Sequence, residues 1–177
     1  MKIRIGEVFR VSRSEADATS GTRSYAELTR GCHSTSADVN KGIWAYKDIG
    51  VQGGTRRTPA VLLHSNPLKE GSVATPWIDV VESDLGYAFY NGDNRRSGQL
   101  PAAAAGNGLL TRLQAQYTDP SLRAIAPPIL LFTQREVNGN RKGYRQFSGF
   151  GVPSRYVLLS QRERGTSVSS SSAPTRT

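Results

Sequence analysis

The sequence predicts a mainly β (α+β) domain, a curved β-barrel or strongly bent mixed sheet with one or two short helices. Short runs of aromatic and β-branched residues recur along the chain, each bounded by Gly, Pro, Asn or Asp. Only one segment carries a sustained helical period, and there is no alternation of strand and helix of the kind a doubly wound sheet requires. The chain has 177 residues, the size of one domain.

Taken in order, Ile3, Ile5, Val8, Phe9 and Val11, punctuated by Gly6, read as a first strand or strand pair. From Arg13 to Lys41 the chain is polar and rich in Ser and Thr. Within it, Ser24-Tyr25-Ala26-Glu27 has capping-box spacing and Gly31 is placed to end a short helix. Strands are expected at 43–47, 59–64, 77–81, 87–90, 129–135, 144–150 and 155–161. Asn138-Gly139-Asn140 signals a hairpin, and Arg141-Lys142 lengthen its loop beyond the two-residue minimum. Leu109, Leu110, Leu113 and Tyr117 recur at i, i+1, i+4 and i+8, the buried stripe of one helix, which Pro120 and Pro127-Pro128 prevent from continuing. From Gly165 the sequence GTSVSSSSAPTRT has too little apolar content to bury. The expected organisation is therefore one domain over 1–164 and a disordered Ser-rich tail over 165–177.

Charge narrows the function. Twenty-three Lys and Arg against 14 Asp and Glu leave +9, and the isoelectric point is near 10.1, so a polyanion is the first partner to consider. The excess is polarised: residues 1–90 hold 11 basic and 10 acidic side chains, whereas 91–177 hold 12 and 4. Eighteen of the cations are Arg, whose planar fork suits phosphates and guanine edges; a codon bias toward Arg accounts for the same excess. No stretch approaches the roughly 18 apolar residues of a membrane span, and MKIRIGEVFRVS lacks a secretory apolar core. A cytoplasmic, nucleoid-associated protein is expected. Cys32, His33 and His64 cannot make a disulfide framework or a standard zinc site by themselves, and no cofactor is implied.

The most informative stretch ends an apolar strand in Tyr87, Phe89 and Tyr90 and enters Asn91-Gly92-Asp93-Asn94-Arg95-Arg96. Rings there can stack on a base while Arg95 and Arg96 neutralise phosphates, and the amides and carboxylate can meet a Watson–Crick edge. An ordinary strand-end turn with Tyr87 and Phe89 in the core accounts for the same residues. In 43–47, period two puts Trp44 and Tyr46 on one face, as a cage wall or as core. Gly53-Gly54-Thr55-Arg56-Arg57 is either a phosphate-contacting loop or a solvated turn. Arg141, Lys142 and Arg145 form a basic hairpin tip that contacts DNA or simply keeps the hairpin soluble.

Enzyme chemistry finds no complete constellation. The residues two before Lys41, Lys47, Lys69 and Lys142 are Val39, Ala45, Pro67 and Asn140, so the acid-x-Lys spacing of a PD-(D/E)xK nuclease is absent. HSNP at 64–67 is a faint echo of a His-metal nuclease, the adjacent Cys32-His33 does not make a dyad by sequence alone, and Asp79, Glu82 and Asp84 read as a solvated strand end.

The order W-x-D, GYAFYNGDNRR, a Gly-Asn-containing helix start, APPILLF, NGNRKG and FSGFGVPSRY resembles the N-terminal modified-DNA-reading domains of bacterial modification-dependent (type IV) restriction endonucleases. Those domains are similar to SRA and plant B3 domains, and the resemblance covers roughly residues 1–164. It implies an SRA/B3-like or PUA-like barrel that recognises 5-methylcytosine, or a related modified base, in double-stranded DNA without cleaving it. On that reading Arg56, Arg57, Arg95, Arg96, Arg141, Lys142 and Arg145 hold phosphates, and Trp44, Tyr46, Asp79, Tyr87, Tyr90, Asn91, Asp93 and Asn94 form the modified-base pocket. Burying one methyl is worth about 0.8 kcal/mol, roughly fourfold in affinity, so the preference for methylated duplex is expected to be modest. A modification-dependent nuclease, or a fragment of one, and an RNA-binding PUA-like domain are the alternatives.

Overall fold

The computed structural model describes residues 2–10, 22–25, 27, 41–50, 54, 56–69, 78–92, 104–140 and 143–155. Ten strands run in chain order: β1 (Val8–Arg10), β2 (Arg23–Ser24), β3 (Ile43–Ala45), β4 (Ile49–Gly50), β5 (Arg56–Arg57), β6 (Val61–Ser65), β7 (Val80–Glu82), β8 (Tyr87–Phe89), β9 (Ile129–Gln134) and β10 (Tyr144–Gly151). Six of them make one mixed sheet in the order β2-β1-β10-β9-β6-β3, while β4–β5 and β7–β8 are separate two-stranded hairpins. The β1–β2 and β6–β9 pairs are parallel and the rest antiparallel. One helix, α1 (Ala105–Thr118), and a 3-10 turn (Arg123–Ile125) complete the described elements.

Alternation along the central strands sorts their side chains onto two faces. Val61 and Leu63 of β6, Ile43 of β3 and Ile129 of β9 meet Leu113 of α1 on one face. Leu62 and Phe132 join Phe9, Tyr25, Tyr46, Ala60 and Phe147 on the other. Covered on both sides, β6 is buried at all five positions, which is why VLLHS reads as a continuous run and not as an alternation. Phe132 centres the second cluster, with ring centroids 5.4 Å from both Tyr25 and Phe147 and 6.2 Å from Phe9.

Local signals account for the joints. Asn138 (φ 50°) and Gly139 (φ 75°) both take the left-handed conformation between the bridged Val137 and Asn140, a type I′ turn. The turn itself therefore has the two-residue minimum, where the sequence predicts a longer loop, and Arg141 and Lys142 lie outside the described residues. A bulge between Phe147 and Gly149 bends β10; Ser148 Oγ lies 2.8 Å from Thr133 Oγ1 there. The α1 helix stops where Asp119 N–H donates to Ala115 O, one residue before Pro120, and Tyr117 Oη donates to Pro127 O at the entry to β9.

Of the two expected forms, barrel or bent mixed sheet, the described residues show the second: the sheet is open, with β2 and β3 as edges, and no closed barrel forms among them. The edge strands have two and three residues, and β4–β5 and β7–β8 pair internally instead of bridging the edges. Strands β2, β4 and β5 were not expected, being too short and polar to carry a period. Of the capping-box helix, only Ser24, Tyr25 and Glu27 are described; Ser24 belongs to β2, and the Glu27 carboxylate accepts from Arg23 Nε at 3.1 Å. The strand expected at 155–161 lies outside the described residues apart from Arg155, as does the tail over 165–177. No helix among the described residues is long and apolar enough to cross a membrane.

Candidate nucleic-acid interface

The hairpin β7–β8 carries the aromatic stretch. Val80 pairs with Phe89 and Glu82 with Tyr87, so the two rings project from the same side of the ribbon. They are not core: Tyr87 is 54% and Phe89 57% exposed, beside the exposed Ile78 and Leu85. With no third strand and no covering layer among the described residues, one side of so small a ribbon stays wet. Ser83 Oγ donates to Ser148 O at 3.0 Å and ties the turn to the bulge of β10.

The neck of the hairpin is polar and ordered by its own side chains. Asp79 Oδ1 accepts from Asn91 N–H at 2.7 Å, and Asn91 Nδ2 donates to Ile78 O at 2.7 Å, so the two entering and leaving residues clasp each other. Tyr90 turns inward, packs against the α1 side of the core and points its hydroxyl at His64 O, 3.4 Å away. Gly92 then passes so close to α1 that a Cβ there would stand 2.3 Å from Asn107 Oδ1, which excludes any other residue without moving that side chain. A carboxylate, two amides and a half-buried ring thus meet at the first turn of α1. Chemically, this corner presents an acceptor for an exocyclic amine and donors for a carbonyl or ring nitrogen, the groups on a base edge.

The remaining candidates separate. Trp44 and Tyr46 contact each other edge-on, centroids 4.6 Å apart, on the face opposite Tyr90. Tyr46 is 4% exposed and belongs to the core, so the four rings do not form one cage. Arg145 pairs in register with Phe9 and Gln134, which directs it toward the same ring-lined face. It is half-buried; burial lowers its pKa and the nearby Tyr25 hydroxyl opposes that shift. Arg56 and Arg57 are exposed on β5, and Arg56 Nη2 donates to Asp48 O at 2.9 Å. Asp93, Asn94, Arg95, Arg96, Arg141 and Lys142 lie outside the described residues.

His64 has a structural role. It is 7% exposed, with Nδ1 2.8 Å from Lys41 O and Nε2 2.7 Å from Tyr25 Oη. A carbonyl only accepts, so Nδ1 carries the hydrogen and the neutral ring accepts the Tyr25 proton at Nε2. Burial first, then Tyr46, pushes the Tyr25 pKa far above its ordinary value, with Arg145 opposing, which keeps that hydroxyl a donor. Among the described residues no three His, Cys, Asp or Glu side chains converge as metal ligands. Sequence reasoning missed Ile78, whose carbonyl accepts from Asn91, and Asn107, which Gly92 passes at close range; the Gly-Asn-Gly run at 106–108 was the available signal for the latter.

Comparison with known proteins gives this geometry a context. The family described as "Restriction endonuclease AspBHI N-terminal" matches residues 29–169. A structure of MspJI restriction endonuclease in complex with a 27-mer oligonucleotide superposes with a TM-score of 0.71 at 25% identity, over 86% of this chain and 37% of that one. The DNA recognition domain of the cytosine modification-dependent restriction endonuclease LpnPI shares the fold, with a TM-score of 0.50 at 22% identity over 66% of this chain and 48% of that one. The chain therefore spans less than half the length of either. No curated protein sequence matches it.

Proposed function

We propose, since the chain belongs to the restriction endonuclease AspBHI N-terminal family, that it binds double-stranded DNA and recognises a modified cytosine, with 5-methylcytosine the first candidate. The observation that carries the reading is the superposition on MspJI, a restriction endonuclease held on an oligonucleotide, over 86% of this chain. The likeness to a recognition domain in LpnPI supports binding, without cleavage, as the role of this segment.

In this reading the hairpin neck meets the base. Asp79 accepts from the cytosine amino group, Asn91 supplies a donor, and Tyr90 gives the base a partly desolvated edge. Tyr87 and, beside it, Phe89 stack on bases or sugars, because exposed rings gain most from covering a flat apolar surface. Arg56 and Arg57, with Arg95, Arg96, Arg141 and Lys142, neutralise phosphates and give an affinity that falls with salt whatever the sequence. Asp93 and Asn94 extend the polar edge. Trp44, Tyr46 and Arg145 support the site from the core and do not touch the DNA.

The test is retardation of two duplexes that differ only in cytosine methylation, at two salt concentrations. The methylated duplex is expected to shift at lower protein concentration, and both affinities to drop steeply with salt. Equal retardation of the pair removes the modification reading, and no retardation of either removes DNA binding altogether.

A further inference from the structure

Away from the hairpin neck, along the later turns of α1, lies a cleft of about 380 Å³. It opens between the β4–β5 hairpin and the helix. Arg56 and Arg57 stand on one wall and Arg112 on the other, with Leu109, Ile125 and Pro127 forming the apolar floor. Leu109, Arg112 and Gln116 share a helix face by their spacing, which is what aims Arg112 at the hairpin.

The charges in this cleft are unbalanced. Asp48 is its one carboxylate among the described residues, and Asp48 Oδ1 is taken by Thr58 Oγ1 at 2.6 Å, while Arg56 Nη2 reaches the Asp48 carbonyl and not its carboxylate. Among the described residues no ion pair engages Arg57 or Arg112, both of which are exposed. Guanidinium groups gathered across a concavity repel one another unless an anion sits between them, and their forked donors suit a phosphate. Ile125, 41% exposed, offers apolar surface that a bare ion would leave wet. The volume falls at the low end of the roughly 300–1,000 Å³ of small-ligand sites, so it takes one compact unit and not a length of chain.

We infer that this cleft is a nucleotide site: the phosphate lies among Arg56, Arg57 and Arg112, and the sugar and base cover Leu109, Ile125 and Pro127. The occupant is either a free mononucleotide or one nucleotide of a bound strand. The inference goes beyond recognition of a modified base, and it holds whether or not the hairpin neck discriminates methylation.

The experiment titrates the whole chain with deoxyadenosine 5′-monophosphate and, separately, inorganic phosphate, following Arg Nε–Hε signals and the Ile125 methyls by NMR. The nucleotide is expected to move both sets saturably, and phosphate only the arginines. Arg112→Gln, an exposed change that keeps helix propensity, is expected to weaken nucleotide binding about tenfold, and Arg57→Gln serves as a second variant. An unmodified duplex separates the sources. If a strand nucleotide fills the cleft, Arg112→Gln lowers the salt slope by about one, and if a free nucleotide does, duplex binding is unchanged. Two results overturn the inference: phosphate moving every signal as the nucleotide does, or the nucleotide moving none while Arg112→Gln binds duplex as wild type does. A failure to distinguish methylated duplex touches neither result.

Discussion

Two regions of this protein are built from the same materials and do opposite things with them. The face around Phe132 and the β7–β8 hairpin are both β structure carrying aromatic rings. Around Phe132, neighbouring strands and the Tyr25 turn cover the rings, and the polar groups there turn on each other, as His64 does with Tyr25 and Lys41 O. On the hairpin, Tyr87 and Phe89 have no covering layer among the described residues, and Asp79 Oδ1 and Asn91 Nδ2 hold the neck at the rim of the exposed ribbon. A ring's role is thus decided by how many layers surround its strand, not by its type. Exposed apolar groups gathered on one ribbon are the feature that marks an interaction surface.

The sharpest way to break this comparison is to delete one ring from each region. Phe132→Ala leaves a cavity at the centre of the packed face and is expected to cost about 3–5 kcal/mol in urea unfolding. Tyr87→Ala should stay within about 0.5 kcal/mol of wild type in the same assay. A large loss on removing Tyr87 would mean that the hairpin is core and not surface. Tyr25→Phe probes the polar side of the packed face: His64 Nε2 loses its donor, and about 1–2 kcal/mol should go with it. A neutral result there would show water already pairing with that ring.

Legibility in the sequence followed the same division. Strands β6, β9 and β10 and the helix α1 were visible because each has enough residues to show a continuous apolar run or a period. The two-residue strands β2, β4 and β5 were not, since pairing, not pattern, makes them strands. The aromatic-to-polar border at Tyr87–Asn91 was readable as a candidate site, but its two accounts could not be separated without knowing the strand's neighbours. Trp44 and Tyr46 were equally suggestive and fell on the other face, because the direction of a whole strand relative to the core is a tertiary fact. The Arg56–Arg57 turn was visible as charge, and its partner Arg112 was hidden, being 55 positions away from Arg57 and brought near only by the packing of α1.

The hairpin side is sharpened by binding, not by stability. Asp79→Ala releases the Asn91 N–H and removes the proposed acceptor for the cytosine amino group. It is expected to lower affinity for methylated duplex about tenfold while lowering the unmethylated duplex less, so the ratio between them shrinks. Gly92→Ala should act in the same direction through Asn107, which must give way to the new methyl. If both variants keep the wild-type ratio, discrimination resides elsewhere than the neck.

The smallest effect belongs to a setting between the two regions, the half-buried edge where β1 meets β2. Glu7 Oε1 accepts from Arg23 Nη1 at 2.9 Å and Oε2 from Arg4 N–H at 3.0 Å. Partial burial pushes the Glu7 carboxyl up, but the Arg4 and Arg23 hydrogen bonds outweigh it, and the net pKa falls below the usual 4.5. A carboxylate with a lowered folded-state value contributes stability above its unfolded-state pKa and loses it as pH falls through the folded one. Glu7→Gln should therefore cost no more than about 0.5 kcal/mol at neutral pH and low salt, less at high salt, and converge on wild type in acid. A difference that persists in acid would assign the edge to shape and hydrogen bonding alone, and would extend the packed face's economy, not the hairpin's, to the rim of the sheet.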